Sequence, residues 1–133
     1  IQTRVSVSQY ESENIMFALL EQIVSMPEWN HLGIMPQYPL RLLVKSDILL
    51  TESEKAYANR SWTLVDFVLY NKTTKHPALV IEVDGMAFHQ ADSEQAKRDE
   101  QKNSILDKAG IPLLRLSTDG SNEKNKIINA LSR

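Results

Sequence analysis

Glu82 and Asp84 interrupt a run of aliphatic residues in the segment ALVIEVDGMAFH, residues 78–89. Side chains two positions apart in a β-strand point to the same face of the sheet, so these carboxylates would lie side by side. A buried carboxylate is strongly unfavourable unless a positive group neutralises it. The pattern therefore predicts a site that holds a positive charge.

Two further acids fall in apolar surroundings and are expected near this pair. Asp66 lies within the strand-like segment WTLVDFVLY, residues 62–70, and Glu13 lies on the apolar stripe of a first helix. The chain has no Cys and three His, so the available ligands are mainly carboxylate oxygens. Such ligands suit a hard cation such as Mg²⁺ or Mn²⁺. Without the cation, like-charge repulsion should raise the pKa of at least one of these acids.

Hydrophobic periodicity and turn residues predict the elements that position these acids. The first half of the chain is predicted to form a helix from a Ser8–Glu11 capping box to about Met26, an edge strand within 34–44, and a short helix plus a polar loop within 45–60. Two strands follow, at 62–70 and at 78–84, and Gly85 ends the second. The remaining predicted elements are a helix from Asp92 or Ser93 to Ala109, which Gly110 ends, a strand at 111–117, and a last helix with Ile127, Ile128 and Leu131.

The connections between these elements predict how the strands are arranged. The segment between strands 62–70 and 78–84 has the length of a hairpin connection, so these two strands should be antiparallel neighbours. A crossover helix then leads to strand 111–117, which should make that strand parallel to strand 78–84. The predicted fold class is α/β, with one mixed sheet flanked by helices on both faces.

Composition limits the classes of protein that the chain could represent. A length of 133 residues suits a single domain, and 42% hydrophobic with 24% charged residues is typical of a soluble globular protein. No apolar run approaches the roughly 18 residues of a membrane span. The lack of Cys fits a cytoplasmic protein. Because the chain begins without Met or a signal-peptide core, we expect it to be a piece of a longer polypeptide.

The charge of the chain bears on how it could meet nucleic acid. A formal net charge of −2 argues against a protein that coats nucleic acid through bulk positive charge. It leaves open an enzyme that reaches phosphates through a bound cation. Basic residues are denser in the last third of the chain, where Arg98, Lys102 and Arg115 could contact phosphate; a solvated helix face is the equally weighted alternative.

Four segments occur in a fixed order along the chain: VDFVLY, VIEVDGMAFH, RDEQK and AGIPLLRL. This series resembles the PD-(D/E)XK, or restriction-endonuclease-like, nuclease superfamily. The subgroup that it resembles most contains very-short-patch repair endonucleases and nuclease-like domains fused to superfamily I helicases. The resemblance covers about residues 9–117. It implies an αβββαβ core, Mg²⁺- or Mn²⁺-dependent cleavage of DNA as an endonuclease, and a helicase or other parent-protein domains as partners.

The resemblance also implies roles for individual residues. Asp66 and Glu82 would be the principal metal ligands, with the Val83 carbonyl oxygen as a third, and Glu13 would act through a water on the metal. Asp84 stands where the superfamily has Lys, and would add to metal binding. Lys102, which shares a helix face with Ile105 and Ala109, is the candidate for the displaced positive group. His89 would orient water or contact the scissile phosphate.

Each of these residues also has a purely structural interpretation. Asp66 could bind backbone amides, Asp84 could be a turn residue before Gly85, and Glu13 could interact with the dipole of its helix. His89 could be a hydrogen-bonded loop residue, and Lys102 could extend to solvent from a half-buried face. Two ion pairs are further alternatives: Glu82 with Arg115, and Arg98 with Asp99.

Two functions compete with DNA cleavage at this stage. One is a degenerate nuclease fold that binds DNA or a protein without cutting, which the missing Lys at position 84 favours. The other is a hydrolase of RNA or of a small phosphoester, since nothing in the sequence distinguishes the sugar. The oligomeric state is not indicated by the sequence.

Overall fold

The computed structural model describes residues 11–84, 93–117 and 122–133. Within these ranges the chain forms, in order, α1 (Glu11–Val24), β1 (Leu32–Pro39), a 3-10 turn (Leu40–Leu43), α2 (Glu52–Asn59), β2 (Leu64–Asn71), β3 (Pro77–Asp84), α3 (Ser93–Lys108), β4 (Leu113–Ser117) and α4 (Glu123–Leu131).

The four strands form one mixed sheet in the order β1-β2-β3-β4. The β1–β2 and β2–β3 pairs are antiparallel, and the β3–β4 pair is parallel. The predicted hairpin, the parallel crossover strand and the edge position of β1 are therefore confirmed. Pro36 and Pro39 are tolerated in β1 because a proline, which has no N–H, interrupts only one side of an edge strand.

Apolar cores cover both faces of the sheet, which confirms the predicted α/β class. The core on one face joins α1 and α4 to the sheet, and it includes Met16, Leu20 and Ile127. The opposite core joins α2 and α3 to the sheet, and it includes Ile105 and Leu106. The apolar stripe predicted for α1 does face a core, as three of its members are buried and Phe17 and Val24 are partly buried.

Several predicted boundaries differ from those of the structure by a few residues, and two of them have a clear physical reason. The first strand ends at Pro39 instead of continuing to Val44, and Leu40–Leu43 form a tight turn that buries Leu40 and Leu43 in the core beside α2. The first helix ends at Val24, two residues earlier than predicted. Apolar residues beyond each boundary are buried by a turn, which hydrophobic periodicity alone does not distinguish from a continued element.

The connection from α3 to β4 confirms the predicted stop at Gly110. Gly110 has a φ of +76°, the left-handed conformation that ends many helices. Its N–H donates to the Asp107 carbonyl at 3.0 Å, and the Ile111 N–H donates to the Leu106 carbonyl at 3.0 Å. These bonds satisfy carbonyls at the end of α3 and direct the chain into β4 beside β3.

Several predicted features lie outside the described residues, namely Ser8 of the capping box, Gly85, His89 and Asp92. Within the described ranges, every helix is too short or too polar to cross a bilayer.

Candidate active site

The sheet brings Asp66 and Glu82 together at one of its ends. Because β2 and β3 are antiparallel, the start of β2 lies beside the end of β3. The Asp66 N–H donates to Glu82 Oε2 at 2.8 Å, and the Val83 N–H donates to Asp66 Oδ2 at 2.7 Å. The two acids therefore link the strands through their side chains. The bond from Val83 agrees with the interpretation of Asp66 as a residue that binds backbone amides, while metal ligation by Asp66 and Glu82 stays a prediction.

Lys102 of α3 balances the charge of Glu82. Its ammonium lies 2.5 Å from Glu82 Oε1 and donates to the Leu64 carbonyl at 3.0 Å. The Lys102 side chain is 14% exposed and that of Glu82 is 6% exposed. Lys102 therefore points into the protein, as expected from its helix face, and does not extend to solvent.

Asp66 carries the unbalanced charge of the pair. Burial, and to a smaller extent the neighbouring carboxylates of Glu82 and Glu13, raise the pKa of Asp66 to about 7, against the lowering effect of the Val83 N–H. The direction agrees with the sequence-based expectation of a raised pKa. The main cause differs, because burial contributes more than like-charge repulsion. A buried acid with this pKa is a common feature of functional sites.

Glu13 reaches the site because α1 packs against β2. The ring of Phe17 stacks on that of Phe67, with 6.2 Å between centroids, and Phe67 directly follows Asp66. Glu13 lies one helical turn before Phe17, close enough for its charge to act on the pKa of Asp66. α1 therefore delivers a third acid to the end of the sheet.

Gln37 is a site residue that the sequence did not reveal. Its Nε2 donates to Glu13 Oε1 at 2.5 Å, and its own φ of +52° is unusual for a residue other than glycine. Backbone strain of this kind often occurs at functional sites. Gln37 is uncharged and lies between two prolines, so the sequence does not mark it as a site residue. Its backbone conformation and its contact with Glu13 do so.

The remaining predicted residues lie around this centre. Asp84 ends β3, is half-buried, and stands opposite Ser117 in β4. Alternation puts Asp84 on the same face as Glu82. Arg98 is exposed one helical turn before Lys102, on the side of α3 that Lys102 occupies. His89 cannot be placed, because it lies outside the described residues.

The two ion pairs suggested as structural alternatives, Glu82 with Arg115 and Arg98 with Asp99, are both wrong predictions. Arg115 bonds to Asn103 Oδ1 at 2.8 Å and pairs with Asp99 at 3.4 Å, while Glu82 pairs with Lys102. Arg98 donates to Gln95 at 3.0 Å instead of to Asp99. Adjacent residues of a helix point in different directions, whereas Arg115 in β4 faces the helix that packs over its strand. Arg115 already holds a carboxylate, so any phosphate would have to share it.

The donor set fits a hard divalent cation, with two restrictions. Asp66 and Glu82 supply adjacent carboxylates, and an uncompensated buried acid is the kind of group that a cation stabilises. Glu82 Oε1 and Asp66 Oδ2 are each bonded already, to Lys102 and to the Val83 N–H. In the described ranges, moreover, no three acids or histidines are grouped closely enough to form a ready-made metal site.

Comparison with known proteins gives the family but not the activity. No curated protein and no solved structure matches the chain. One family matches over residues 8–133, which is nearly the whole length. Its description states that the function is unknown, so the site must be interpreted from its own chemistry. By this match the chain belongs to the DUF2726 family of proteins of unknown function.

Proposed function

We propose that this chain is a restriction-endonuclease-like domain that hydrolyses internal phosphodiester bonds of DNA with Mg²⁺ or Mn²⁺. The observation that carries the proposal is the pair formed by half-buried Asp66 and buried Glu82 on neighbouring strands. The pKa of Asp66 is raised to about 7 beside Glu82 and Glu13. A fold gains little from placing Asp66 beside Glu82 within reach of the charge of Glu13, so a ligand that needs these acids is the simplest explanation.

The architecture supports the same proposal. The order α1, β1, β2, β3, α3, β4 is the αβββαβ order implied by the resemblance, with α2 added between β1 and β2. Asp66 in β2, Glu82 in β3 and Lys102 in α3 come from three of the four segments that carry the resemblance. Independent elements therefore contribute to one centre, as they must in an active site assembled by the fold.

Asp66 and Glu82, with the Val83 carbonyl oxygen, would hold the cation. When bound, the cation supplies neutralisation of the acids and stabilises negative charge on the phosphoryl group. Lys102 fixes a positive charge against Glu82, where it can also stabilise a phosphate. Glu13, which accepts a hydrogen bond from Gln37, would in turn accept one from the attacking water.

A catalytically inactive binding domain is the second candidate, and a specific observation favours it. The positive charge of Lys102 already pairs with Glu82, and position 84 has Asp where the superfamily has Lys. An ammonium bound to one of the acids can replace a cation as the neutralising group. In that case the acids would be structural, and DNA or a protein would bind without cleavage.

The decisive experiment compares cleavage of supercoiled DNA, linear DNA and RNA in Mg²⁺ or Mn²⁺. The variants are Asp66→Asn and Glu82→Gln, which keep shape and remove charge. Asp107→Asn, an exposed acid of α3, is the matched control. We expect nicking of supercoiled DNA by the parent and the control, and a loss of about a hundredfold or more in the two site variants.

Other outcomes would select another function. Cleavage of RNA alone would make the domain a ribonuclease. If the parent does not cleave, yet binds DNA equally well with and without the two substitutions, the nuclease proposal fails and the binding domain is supported. Cleavage that persists in both site variants would show that the activity does not come from this centre.

A further inference from the structure

A groove lies at the other end of the sheet from the acid centre. Its floor is formed by β1 and β2, and it includes Val68 in the middle of β2 and Tyr70 near the end of β2 remote from Asp66. One wall is the 3-10 turn and the loop after it, and the other wall is the end of α3 with Gly110 and Ile111. Its volume is about 860 Å³, within the range of ligand-binding clefts.

Exposed apolar side chains are concentrated at this groove. Met35, Leu42 and Leu49 line it, with exposed fractions of 39%, 57% and 67%. Ile48, next to Leu49 in the chain, is 83% exposed. The three that line the groove are half of the six large apolar side chains that are strongly exposed in the described residues. Clustered apolar exposure of this kind commonly marks an interaction surface.

The charged side chains that line the groove are all basic within the described part of the chain. They are Lys45 beside the 3-10 turn, Lys75 in the β2–β3 connection, and Lys108 at the end of α3, with His76 nearby. Lys108 is paired with Glu54 at 2.7 Å, so Lys45 and Lys75 provide most of the available positive charge. The whole chain has a formal net charge of −2, so the lining of this groove is positively charged in a protein that is negatively charged as a whole.

We propose that this groove binds an acidic amphipathic α-helix of a partner polypeptide. The apolar floor and walls fit the apolar face of such a helix. The lysines that line the groove complement acidic residues along the borders of that face. Nucleic acid fits less well, because a phosphate track needs cations along its length and not exposed leucines. Addition of a strand at β1 is also disfavoured, because Pro36 and Pro39 remove backbone donors from that strand.

The groove is distinct from the proposed nuclease centre. Along β2, Tyr70 is four residues from Asp66 and Val68 is two, separations of about 13 Å and about 7 Å in an extended strand. None of the acids of the proposed nuclease centre lines the groove. The inference does not depend on catalysis, and a failure of either proposal leaves the other untouched.

The test measures binding of two fluorescein-labelled designed helices by anisotropy with the whole chain. Each has about four turns and leucines spaced i, i+3, i+4 and i+7. One carries Glu on its borders and the other carries Lys at the same positions. We expect the Glu helix to bind at micromolar concentration and the Lys helix to bind at least about tenfold more weakly.

Matched protein variants locate the binding surface. Leu49→Glu, and Lys45→Glu combined with Lys75→Glu, should each weaken binding of the Glu helix by about tenfold. These side chains are exposed, so the fold should tolerate the changes. Ile15→Glu is the apolar control, and Lys124→Glu with Lys126→Glu is the charge control. Both controls should bind within about twofold of the parent.

Four results would overturn the proposal. The first is no binding of the Glu helix by the parent at about 1 mM, and the second is equal binding of the Glu and Lys helices. The third is a homodimer, seen by sedimentation, that Leu49→Glu dissociates, because a second copy would then be the occupant. The fourth is a pair of observations on the groove variants: they no longer bind phosphatidylglycerol vesicles that the parent binds, yet they bind the Glu helix as well as the parent does.

Discussion

Asp66 and Glu82 are neighbours with different electrostatic environments. Glu82 accepts bonds from the Lys102 ammonium and from the Asp66 N–H, whereas Asp66 accepts one from the Val83 N–H and has two other acids close by. Removal from water therefore acts mainly against the ionised form of Asp66. Asp66 is the residue of the site whose protonation should respond most to pH and to a bound cation.

Asp66→Asn should change how stability depends on pH in the absence of divalent metal. The pKa of Asp66 is raised from 3.8 to about 7. Between these values the folded state retains a proton that the unfolded state has lost, so the stability of the parent falls as the pH rises through this window. The Asn variant has no proton to lose at this position, so its free energy of unfolding should not fall for this reason as the pH rises. At about pH 7.5 it should be more stable than the parent by on the order of 2–3 kcal/mol.

Urea unfolding with EDTA, at about pH 4 and pH 7.5, measures this difference. Near pH 4 the two proteins should have similar free energies of unfolding. Asp107→Asn, at an exposed position of α3, should follow the parent at both pH values. If Asp66→Asn is no more stable than the parent at the higher pH, Asp66 is ionised without penalty and the interpretation of the acid centre is wrong.

The sequence identified charged residues of the site better than neutral ones. Asp66 and Glu82 stand out because an acid within an apolar strand contradicts the rest of its segment. Gln37 does not, since its contribution depends on a left-handed backbone and on a contact with Glu13, 24 residues away. The partner of Arg115 was missed for a similar reason, because it depends on how α3 lies over β4.

Glu54, a buried acid of α2, is one of the residues that link this helix to α3. The Glu54 side chain accepts from the Thr51 N–H at 2.8 Å, completing a capping box, and from Ser104 at 2.5 Å. Lys108 lies 2.7 Å from the same carboxylate. These bonds, with Lys108 contributing most, lower the pKa of Glu54 to about 2. One residue therefore caps a helix and fixes it against its neighbour.

Glu54→Gln should destabilise the domain at neutral pH by about 2 kcal/mol, because it weakens charge-assisted bonds and the capping box. The Lys108 side chain is 31% exposed, so solvent screens part of its attraction. Since the pKa of Glu54 is lowered in the folded state, its contribution is complete above about pH 4.5 and is lost as the pH falls toward 2. At that low pH the parent and the Glu54→Gln variant should have similar free energies of unfolding.

Glu52→Gln is the matched control for this prediction. Glu52 begins the same helix and pairs with Lys55 at 3.3 Å, but its side chain is 93% exposed. Exposed pairs contribute little, so this variant should unfold within about 0.5 kcal/mol of the parent. Equal losses in the two variants would mean that the contact of Glu54 with α3 does not matter.

At the level of elements, the sequence predicted connections more reliably than boundaries. The antiparallel hairpin and the parallel crossover follow from connection length and chain handedness, and both are present. The end of β1 at Pro39 was missed because Leu40 and Leu43 continue an apolar run while the backbone turns. The anchoring of α2 by Glu54 depends on a residue 50 positions later and left no local signal.

At the level of the whole molecule, the sheet separates two surfaces of different character. The acids meet where β2 begins and β3 ends, whereas the basic apolar groove lies where β2 ends and β3 begins. The two proposed sites therefore share strands but no side chains. A restriction-endonuclease-like core is a prediction from four short segments, whereas the groove could not be predicted, because its residues come from five separate parts of the chain.

This separation predicts that changes at the two ends act independently on stability. Asp66 and Leu49 share no partner, so the changes in unfolding free energy for Asp66→Asn and Leu49→Glu should add in the double variant to within about 0.5 kcal/mol. The same double variant should lose binding of the Glu helix as Leu49→Glu does alone. Urea unfolding and anisotropy of the four proteins test both statements. A coupling of more than about 1 kcal/mol, or an effect of Asp66→Asn on helix binding, would mean that the sheet transmits changes from one surface to the other.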